Sequence, residues 1–259
     1  MFVLTHLFFS IGEVFYSSYK NLKVRIAKKK LSEQDKNILK NLFPYYAKLN
    51  ASHKQEFIEK VEWFIAEKNF LPRGELMMVT QEMKLLISAT AVMVTFGFPG
   101  VTLKHFKKIL IYPDSYYSTI NQQFHQGEVN PKLGIIVLSW ENFVRGFIDL
   151  QDGINLGIHE IAHAMKLENQ IHYNSESNFF NPTLWGRYAE NASLEIEKIL
   201  NGEETIFRSS AANNQHEFFA VALEVFFERS VELKSYNQRL YQSLVYLLKQ
   251  DPIVLAREV

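Results

Sequence analysis

The feature that most constrains this chain is the pentapeptide His159-Glu160-Ile161-Ala162-His163, which lies inside an apolar, helix-compatible run. In a helix of 3.6 residues per turn, side chains four residues apart lie on one face, separated by about 6 Å of rise. His159 and His163 can therefore present ring nitrogens to one tetrahedral metal ion. Glu160 falls beside them, where a carboxylate can exchange a proton with metal-activated water. The spacing predicts a zinc-peptidase core.

The pentapeptide alone fixes only three positions, and a chance match in a chain of this length has a probability of about one per cent. The residues around the pentapeptide make a chance match less probable. Two histidines and a glutamate on an otherwise apolar helix carry a desolvation cost unless a metal or a hydrogen bond compensates it. The context therefore favours a bound metal ion, and Zn2+ is the ion that this ligand type predicts.

A catalytic zinc site needs a third protein ligand and an open position for water. The metzincin extension would require Gly at position 166 and His at position 169, whereas the chain has Lys166 and Asn169, so that class is excluded. His172 and His125 stand in polar stretches, where solvent-facing histidines are the commoner case. Glutamates of two later predicted helices, residues 186–200 and 216–231, remain as candidates.

The second of these helices is the better donor. Glu217 and Glu224 repeat at heptad spacing on one stripe of a helix that is otherwise apolar nearly all round, so it must be buried. A buried carboxylate without a partner is expensive, which favours a metal or a hydrogen bond. In the first helix, by contrast, the glutamates resemble an ordinary solvated face; these are Glu190, Glu195 and Glu197.

These residues resemble the Mlc titration factor A (MtfA) family of zinc-dependent peptidases. The similarity extends over roughly residues 40 to 235. It includes the pentapeptide, the segment 216–228 and a series of shorter matches in family order: 83–89, 96–97, 111–113, 127–128, 138–140 and 152–156. The resemblance implies a gluzincin site, in which His159, His163 and Glu217 hold zinc and Glu160 is the general base. It also implies a possible partner, because members of that family titrate the glucose repressor Mlc.

One position departs from the family pattern. The family usually carries a tyrosine seven residues before the third-ligand glutamate, thought to help stabilise the oxyanion, and the chain has Ser210 there. Serine is too short to replace a phenol. Either Tyr188 or another donor takes that role, or the peptidase rate is low, since losing one oxyanion donor typically costs about 100- to 1000-fold in turnover. A weakly active or inactive zinc-binding regulator therefore stays in contention. Glu224 and Ser210 are expected to lie around the metal ligands without binding the metal themselves.

Composition limits the remaining functions. The formal net charge is zero and the pI about 7.1, which argues against direct nucleic-acid binding over the whole surface. The chain has no cysteine, so a disulfide scaffold and a thiolate metal site are excluded, and a cytoplasmic location is compatible. Peptides or proteins are the expected substrates, with aminopeptidase or endopeptidase action left open.

The first thirty residues form a segment of their own. Residues 2–19 are strongly apolar and are followed by a basic cluster within residues 20–30, as in the cytoplasmic flank of a signal anchor. The apolar stretch is short for a membrane span, and His6 and Glu13 interrupt it. A docked amphipathic helix and a membrane anchor are both compatible with this pattern. Residues 31–259 are expected to form the peptidase domain.

The order of elements predicts an α+β, mostly helical zincin-like domain with a small mixed sheet. Helices are predicted over residues 31–50, 53–69 and 82–95, and strands over 109–112 and 134–140. Zincins bind extended peptide along an edge strand beside the metal helix. We expect residues 134–140 to be that edge, with Gly134, Ile136, Leu138 and Trp140 contacting substrate, although a buried core strand fits the same residues.

Overall fold

The structure is a computed structural model that describes residues 28–118, 122–149, 151–173 and 176–255. This part of the chain forms a mostly helical α+β fold, as predicted. Its helices are α1 (Glu33–Leu42), α2 (Pro44–Lys48), α3 (Ala51–Glu67), α4 (Gln81–Thr95), α5 (Trp140–Arg145), α6 (Leu156–Gln170), α7 (Pro182–Leu200), α8 (Gln215–Glu228), α9 (Ser230–Tyr236), α10 (Gln238–Leu248) and α11 (Pro252–Leu255). Its strands are β1 (Asn69–Pro72), β2 (Lys108–Tyr112), β3 (Tyr116–Ser118), β4 (Gln123–His125), β5 (Gly127–Asn130) and β6 (Ile135–Ser139).

Local sequence explains two differences from the predicted helices. Residues 31–50, predicted as one helix, form α1 and α2, because Pro44 favours an extended conformation at Phe43, where φ is −125° and ψ is 83°. The helix predicted over 53–69 instead begins at Ala51 behind the N-cap Asn50 and ends at Glu67. Residues 69–72 then enter the sheet as β1, a strand that was not predicted.

The main sheet has four strands in the order β1-β2-β6-β5. β1 pairs in parallel with β2, and β2 in parallel with β6, while β5 runs antiparallel to β6. The strands β3 and β4 form a separate antiparallel hairpin that leads directly into β5. The sheet is therefore mixed, as predicted, and β5 is the edge strand that contacts α6.

The prediction that residues 134–140 form the edge strand is wrong. β6 lies between β2 and β5 and pairs with both, so its backbone has no free edge to offer a peptide. Ile136 and Leu138 are fully buried, as expected for a strand whose sequence is a continuous apolar run. The edge position belongs to the shorter and more polar β5.

The core holds the site helices in place. α6 packs against α4 and α8, and it also contacts β5 and β6. α8 is buried along almost its whole length, with Phe218, Phe219 and Phe226 fully enclosed. Each aromatic side chain removes a large apolar area from water, so the crossing of α6 and α8 is fixed by packing.

The amino-terminal segment predicted as a docked helix or anchor, residues 2–19, lies outside the described residues. Within the described ranges, no helix is both long and apolar enough to cross a lipid bilayer.

Candidate metal centre

The helix α6 presents the pentapeptide from a well-defined start. Asn155 is its N-cap, and the side-chain oxygen of Asn155 accepts a hydrogen bond from the Ile158 amide at 3.0 Å. The cap fixes the first turn, and one turn further on His159 and His163 emerge on the same helix face. Their rings meet edge to face, with centroids 4.7 Å apart.

The helix α8 brings in the third acidic group. Asn214 caps this helix by accepting hydrogen bonds from the amides of His216 and Glu217. Glu217 therefore stands in the first turn of α8, where the helix dipole favours a negative charge. Because α8 packs on α6, the Glu217 carboxylate reaches the two histidine rings.

The donor atoms fit a tetrahedral metal ion. His159 Nε2 and His163 Nε2 are 3.1 Å apart, Glu217 Oε2 is 3.4 Å from His159 Nε2, and Glu217 Oε1 is 3.2 Å from His163 Nε2. Ligand atoms held at about 2.0–2.1 Å from one tetrahedral zinc lie about 3.3 Å from one another. The three side chains form a His, His, Glu group that can hold a metal, and two nitrogens and a carboxylate are a zinc-type donor set.

Glu160 lies beside this group, beneath the edge strand. Its side chain is only 6% exposed, and it sits directly under Gly127 of β5. A Cβ atom on Gly127 would come within 2.5 Å of Glu160 Oε1, so only glycine leaves room for the carboxylate. Burial is the main cause that raises the pKa of Glu160 to about 8.

Behind His159 lies a second carboxylate. Glu224 is 1% exposed, and its Oε1 is 2.7 Å from His159 Nδ1. The same carboxylate accepts hydrogen bonds from both terminal nitrogens of Arg208 and from the amide of Asn155. Glu224 thus fixes the ring orientation of His159 and directs its Nε2 toward Glu217.

The electrostatics of the centre favour a cation. Burial by itself lowers the pKa of His159, but contacts with Glu217 and Glu224 outweigh burial and raise the pKa to about 10. The hydrogen bonds from His159 and His163 lower the pKa of Glu217. The carboxylates therefore stabilise positive charge at this point, which is also where the three metal-type ligands converge.

The centre opens into a cavity of about 380 Å³. The residues that line it come from β4, β5, α6 and α8: His125, Gly127, Glu128, Val129, His159, Glu160, His163, Leu167 and Glu217. His125, which the sequence argument set aside, therefore reaches the cavity wall. Glu128, Val129 and Leu167 had not been singled out as cavity residues, since no local pattern marks them.

Several other predicted site residues lie elsewhere. Gly134, Ile136, Leu138 and Trp140 are absent from the described cavity lining, in keeping with the internal position of β6. Tyr188, considered as an oxyanion donor, is buried between Trp185 and Phe219 and does not line the cavity either.

Ser210 and the remaining acidic candidates have other surroundings. The Ser210 hydroxyl accepts a hydrogen bond from Arg208 Nε at 3.1 Å. Glu195, expected on a solvated face, is instead buried and accepts hydrogen bonds from Tyr236, Asn237 and Lys198. His172 is exposed, with its Nδ1 3.4 Å from Asn178. Arg208 could not be predicted as a site residue from the sequence, because it stands in an irregular segment that has no periodic pattern.

Comparison with known proteins finds similarity to a metallopeptidase family. The family model of the glucose-regulated metallo-peptidases M90 matches residues 17–248. An uncharacterised protein of the cyanobacterium Synechocystis is 26% identical over 232 residues, which cover 84% of each chain. The Mlc titration factor A proteins of Yersinia pestis and Yersinia pseudotuberculosis are each 26% identical over 225 residues, covering 81% of this chain and 82% of theirs.

Proposed function

The chain belongs to the glucose-regulated metallo-peptidase M90 family, and on that premise we propose that it is a zinc-dependent peptidase whose metal is held by His159, His163 and Glu217. The observation that carries the proposal is the convergence of these three side chains, with donor atoms 3.1 to 3.4 Å apart, at the floor of a cavity that also contains Glu160.

The residues of the chain have distinct tasks in this reaction. A bound zinc ion supplies a Lewis acid that polarises the scissile carbonyl and makes water more acidic. Glu160 takes the proton from the attacking water and later delivers it to the leaving amine, as a general base and then a general acid. The burial of Glu160 under Gly127 keeps its carboxylate away from bulk solvent and holds it in one place.

We further propose that β5 binds the peptide substrate. This strand ends the four-stranded sheet and borders the cavity through Gly127, Glu128 and Val129. An extended peptide can add to such an edge through main-chain hydrogen bonds. β5 thereby replaces β6 in the role that the sequence argument gave to residues 134–140.

The cleavage mode is proposed from the family resemblance, which leans toward aminopeptidase action on short substrates. A carboxylate on the cavity wall, Glu128, is compatible with a positively charged amino terminus in the substrate. Peptides that carry a free amine are therefore the first substrates to test, alongside the same peptides with an acetylated amino terminus.

Two measurements test the proposed function. Protein purified without chelator is expected to contain about one zinc ion per chain, and His163→Ala is expected to lose it, as measured by mass spectrometry. Glu160→Gln is expected to keep the zinc and to lower peptide cleavage by about 100- to 10,000-fold, the usual contribution of a general acid-base group. Glu190→Gln, on the exposed face of α7, is the matched control. Zinc-free wild-type protein, or full activity in Glu160→Gln, would contradict the proposal.

A second candidate function is that of a zinc-binding regulator that sequesters a repressor of the Mlc type. Two observations favour it: the relatives named Mlc titration factor A, and Ser210 in place of the family tyrosine. Glu160→Gln separates the two functions, because it removes proton transfer while leaving the surface of the protein unchanged. A regulator would bind its repressor equally well with Glu160 or Gln at this position, and the wild-type chain would show no cleavage for the substitution to remove.

A further inference from the structure

The most completely hydrogen-bonded group near the metal centre is the Glu224 carboxylate. Its Oε1 contacts His159 Nδ1 at 2.7 Å and one terminal nitrogen of Arg208 at 2.6 Å. Its Oε2 accepts from the Asn155 amide at 2.7 Å and from the other terminal nitrogen of Arg208 at 3.0 Å. Four donors therefore occupy the four lone-pair positions of this carboxylate.

Arg208 provides two of these four donors as a planar fork. Bidentate pairing of this kind fixes the carboxylate plane, which a single point charge does not do. The guanidinium makes two further hydrogen bonds: it donates from Nη1 to the Gly153 carbonyl at 3.1 Å and from Nε to the Ser210 hydroxyl at 3.1 Å. Ser210 thus contributes to holding the arginine in its position.

We infer that Arg208 is a positioning residue for the metal: through Glu224 it sets the orientation of His159, and Ser210 supports it. The inference rests on the proposed zinc site. His159 can offer Nε2 to a metal only when its Nδ1 side is turned toward Glu224, and Glu224 is fixed by the arginine fork. Ser210 then has a role that differs from that of the family tyrosine at the same position.

An alternative explanation is that Arg208 only tethers the segment before α8 to the start of α6. The chain offers a matched control for this. Arg229 also donates to a carbonyl of that segment, from Nη1 to Ile206 at 3.3 Å, and packs against Gly153. It forks an exposed carboxylate, Glu232, which has no contact with a metal-ligand residue among the described side chains. Arg229 therefore shares the tethering role without the link to His159.

The test is the zinc affinity of the full chain, measured by competition with a fluorescent chelator. Arg208→Gln is expected to raise the zinc dissociation constant by about 10- to 100-fold, the usual effect of removing an outer partner of a metal ligand. Arg208→Lys keeps the charge but lacks the fork, so a smaller rise is expected. Arg229→Gln is expected to match the wild type. Zinc-saturated Arg208→Gln should also lose kcat with little change in KM, because substrate contacts are untouched.

Three outcomes would overturn the inference. Wild-type zinc affinity in both Arg208 variants would show that Glu224 needs no fork. An equal loss in Arg208→Gln and Arg229→Gln would assign the effect to tethering. Absence of zinc binding by the wild-type chain would remove the proposed function and the inference together, whereas the first two outcomes leave the zinc site intact. If Arg208→Gln does not fold, Arg208→Lys compared with Arg229→Gln decides.

Discussion

A glutamate carboxylate contacts the His159 ring on each of its two sides, but the two carboxylates differ in exposure and in hydrogen bonding. On the cavity side, the Glu217 side chain is 31% exposed and contacts His159 and His163 at 3.2 to 3.4 Å. On the inner side, Glu224 is 1% exposed and accepts from four donors. Both glutamates come from α8, seven residues apart.

This difference suits Glu217 to binding a metal ion and Glu224 to orienting the His159 ring. The oxygens of Glu217 face the two Nε2 atoms and remain available to a metal ion. The oxygens of Glu224 are saturated by protein donors, so Glu224 cannot serve as a ligand without losing hydrogen bonds. Both residues are glutamates of α8. They differ in role at this centre because different numbers of protein donors surround their carboxylates.

The largest effects are expected when each of the two carboxylates is removed in turn. Glu217→Ala is expected to lose zinc and reduce peptide cleavage to background, while the unfolding free energy of the metal-free protein changes by about 1 kcal/mol or less, because Glu217 is partly exposed. Glu224→Ala is expected to destabilise the metal-free protein by about 3–5 kcal/mol, because it removes the buried acceptor of the Asn155 amide, the His159 ring and the Arg208 fork. Metal analysis and urea unfolding of the apoprotein measure both effects.

Glu190→Ala on the exposed face of α7 is the control for both variants, and it should change neither quantity. Equal destabilisation by Glu217→Ala and Glu224→Ala would show that the two sides of His159 are not distinct.

The second prediction concerns Gly127, a residue on the cavity side that is not one of the proposed metal ligands. Gly127→Ala places a methyl group 2.5 Å from Glu160 Oε1, closer than van der Waals contact allows, so the carboxylate must move. A displacement of about 1 Å at a reacting group costs on the order of 100-fold in rate. Steady-state kinetics should show this loss with the zinc content unchanged.

Gly186→Ala is the matched substitution, because a Cβ at that position of α7 meets nothing within 4 Å. It should leave activity unchanged and stabilise the helix by about 0.5–1 kcal/mol. Wild-type activity in Gly127→Ala would show that Glu160 does not need its place under β5.

The smallest effect, on the pH dependence of stability, is expected for Glu228, one turn after Glu224 on α8. Burial is the main cause that raises the pKa of this carboxyl to about 7, helped by the charges of Asp152 and Glu224 and opposed by a hydrogen bond from Asn155. The folded protein therefore holds a proton on Glu228 that the unfolded chain releases above about pH 4.5, and the unfolding free energy falls as the pH rises toward 7.

Glu228→Gln keeps the neutral form of this side chain at every pH. The stability of the variant relative to the wild type should therefore increase between about pH 5 and pH 8, as followed by urea unfolding at each pH. A difference that stays constant over this range would show that Glu228 titrates in the folded protein as it does in the unfolded chain.

The fold could be predicted where a local pattern was strong enough. The long, nearly continuous apolar run at residues 82–95 predicted α4 almost to its ends. The apolar run at 134–140 correctly predicted a strand. Its place in the sheet could not be predicted in the same way, because an edge is defined by which other strands pair with it, and β5 shows little alternation of its own.

The sequence by itself determined which residues can form the centre. The i, i+4 spacing puts His159 and His163 on one face of a helix, and heptad spacing puts Glu217 and Glu224 on one stripe, because helix geometry is local. The tertiary structure decided which glutamate faces the cavity and which is sealed behind the ring, and it brought Arg208 and Gly127 to the centre. Those contacts join segments distant in the chain, and only the packing of α6 against α8 and β5 fixes them.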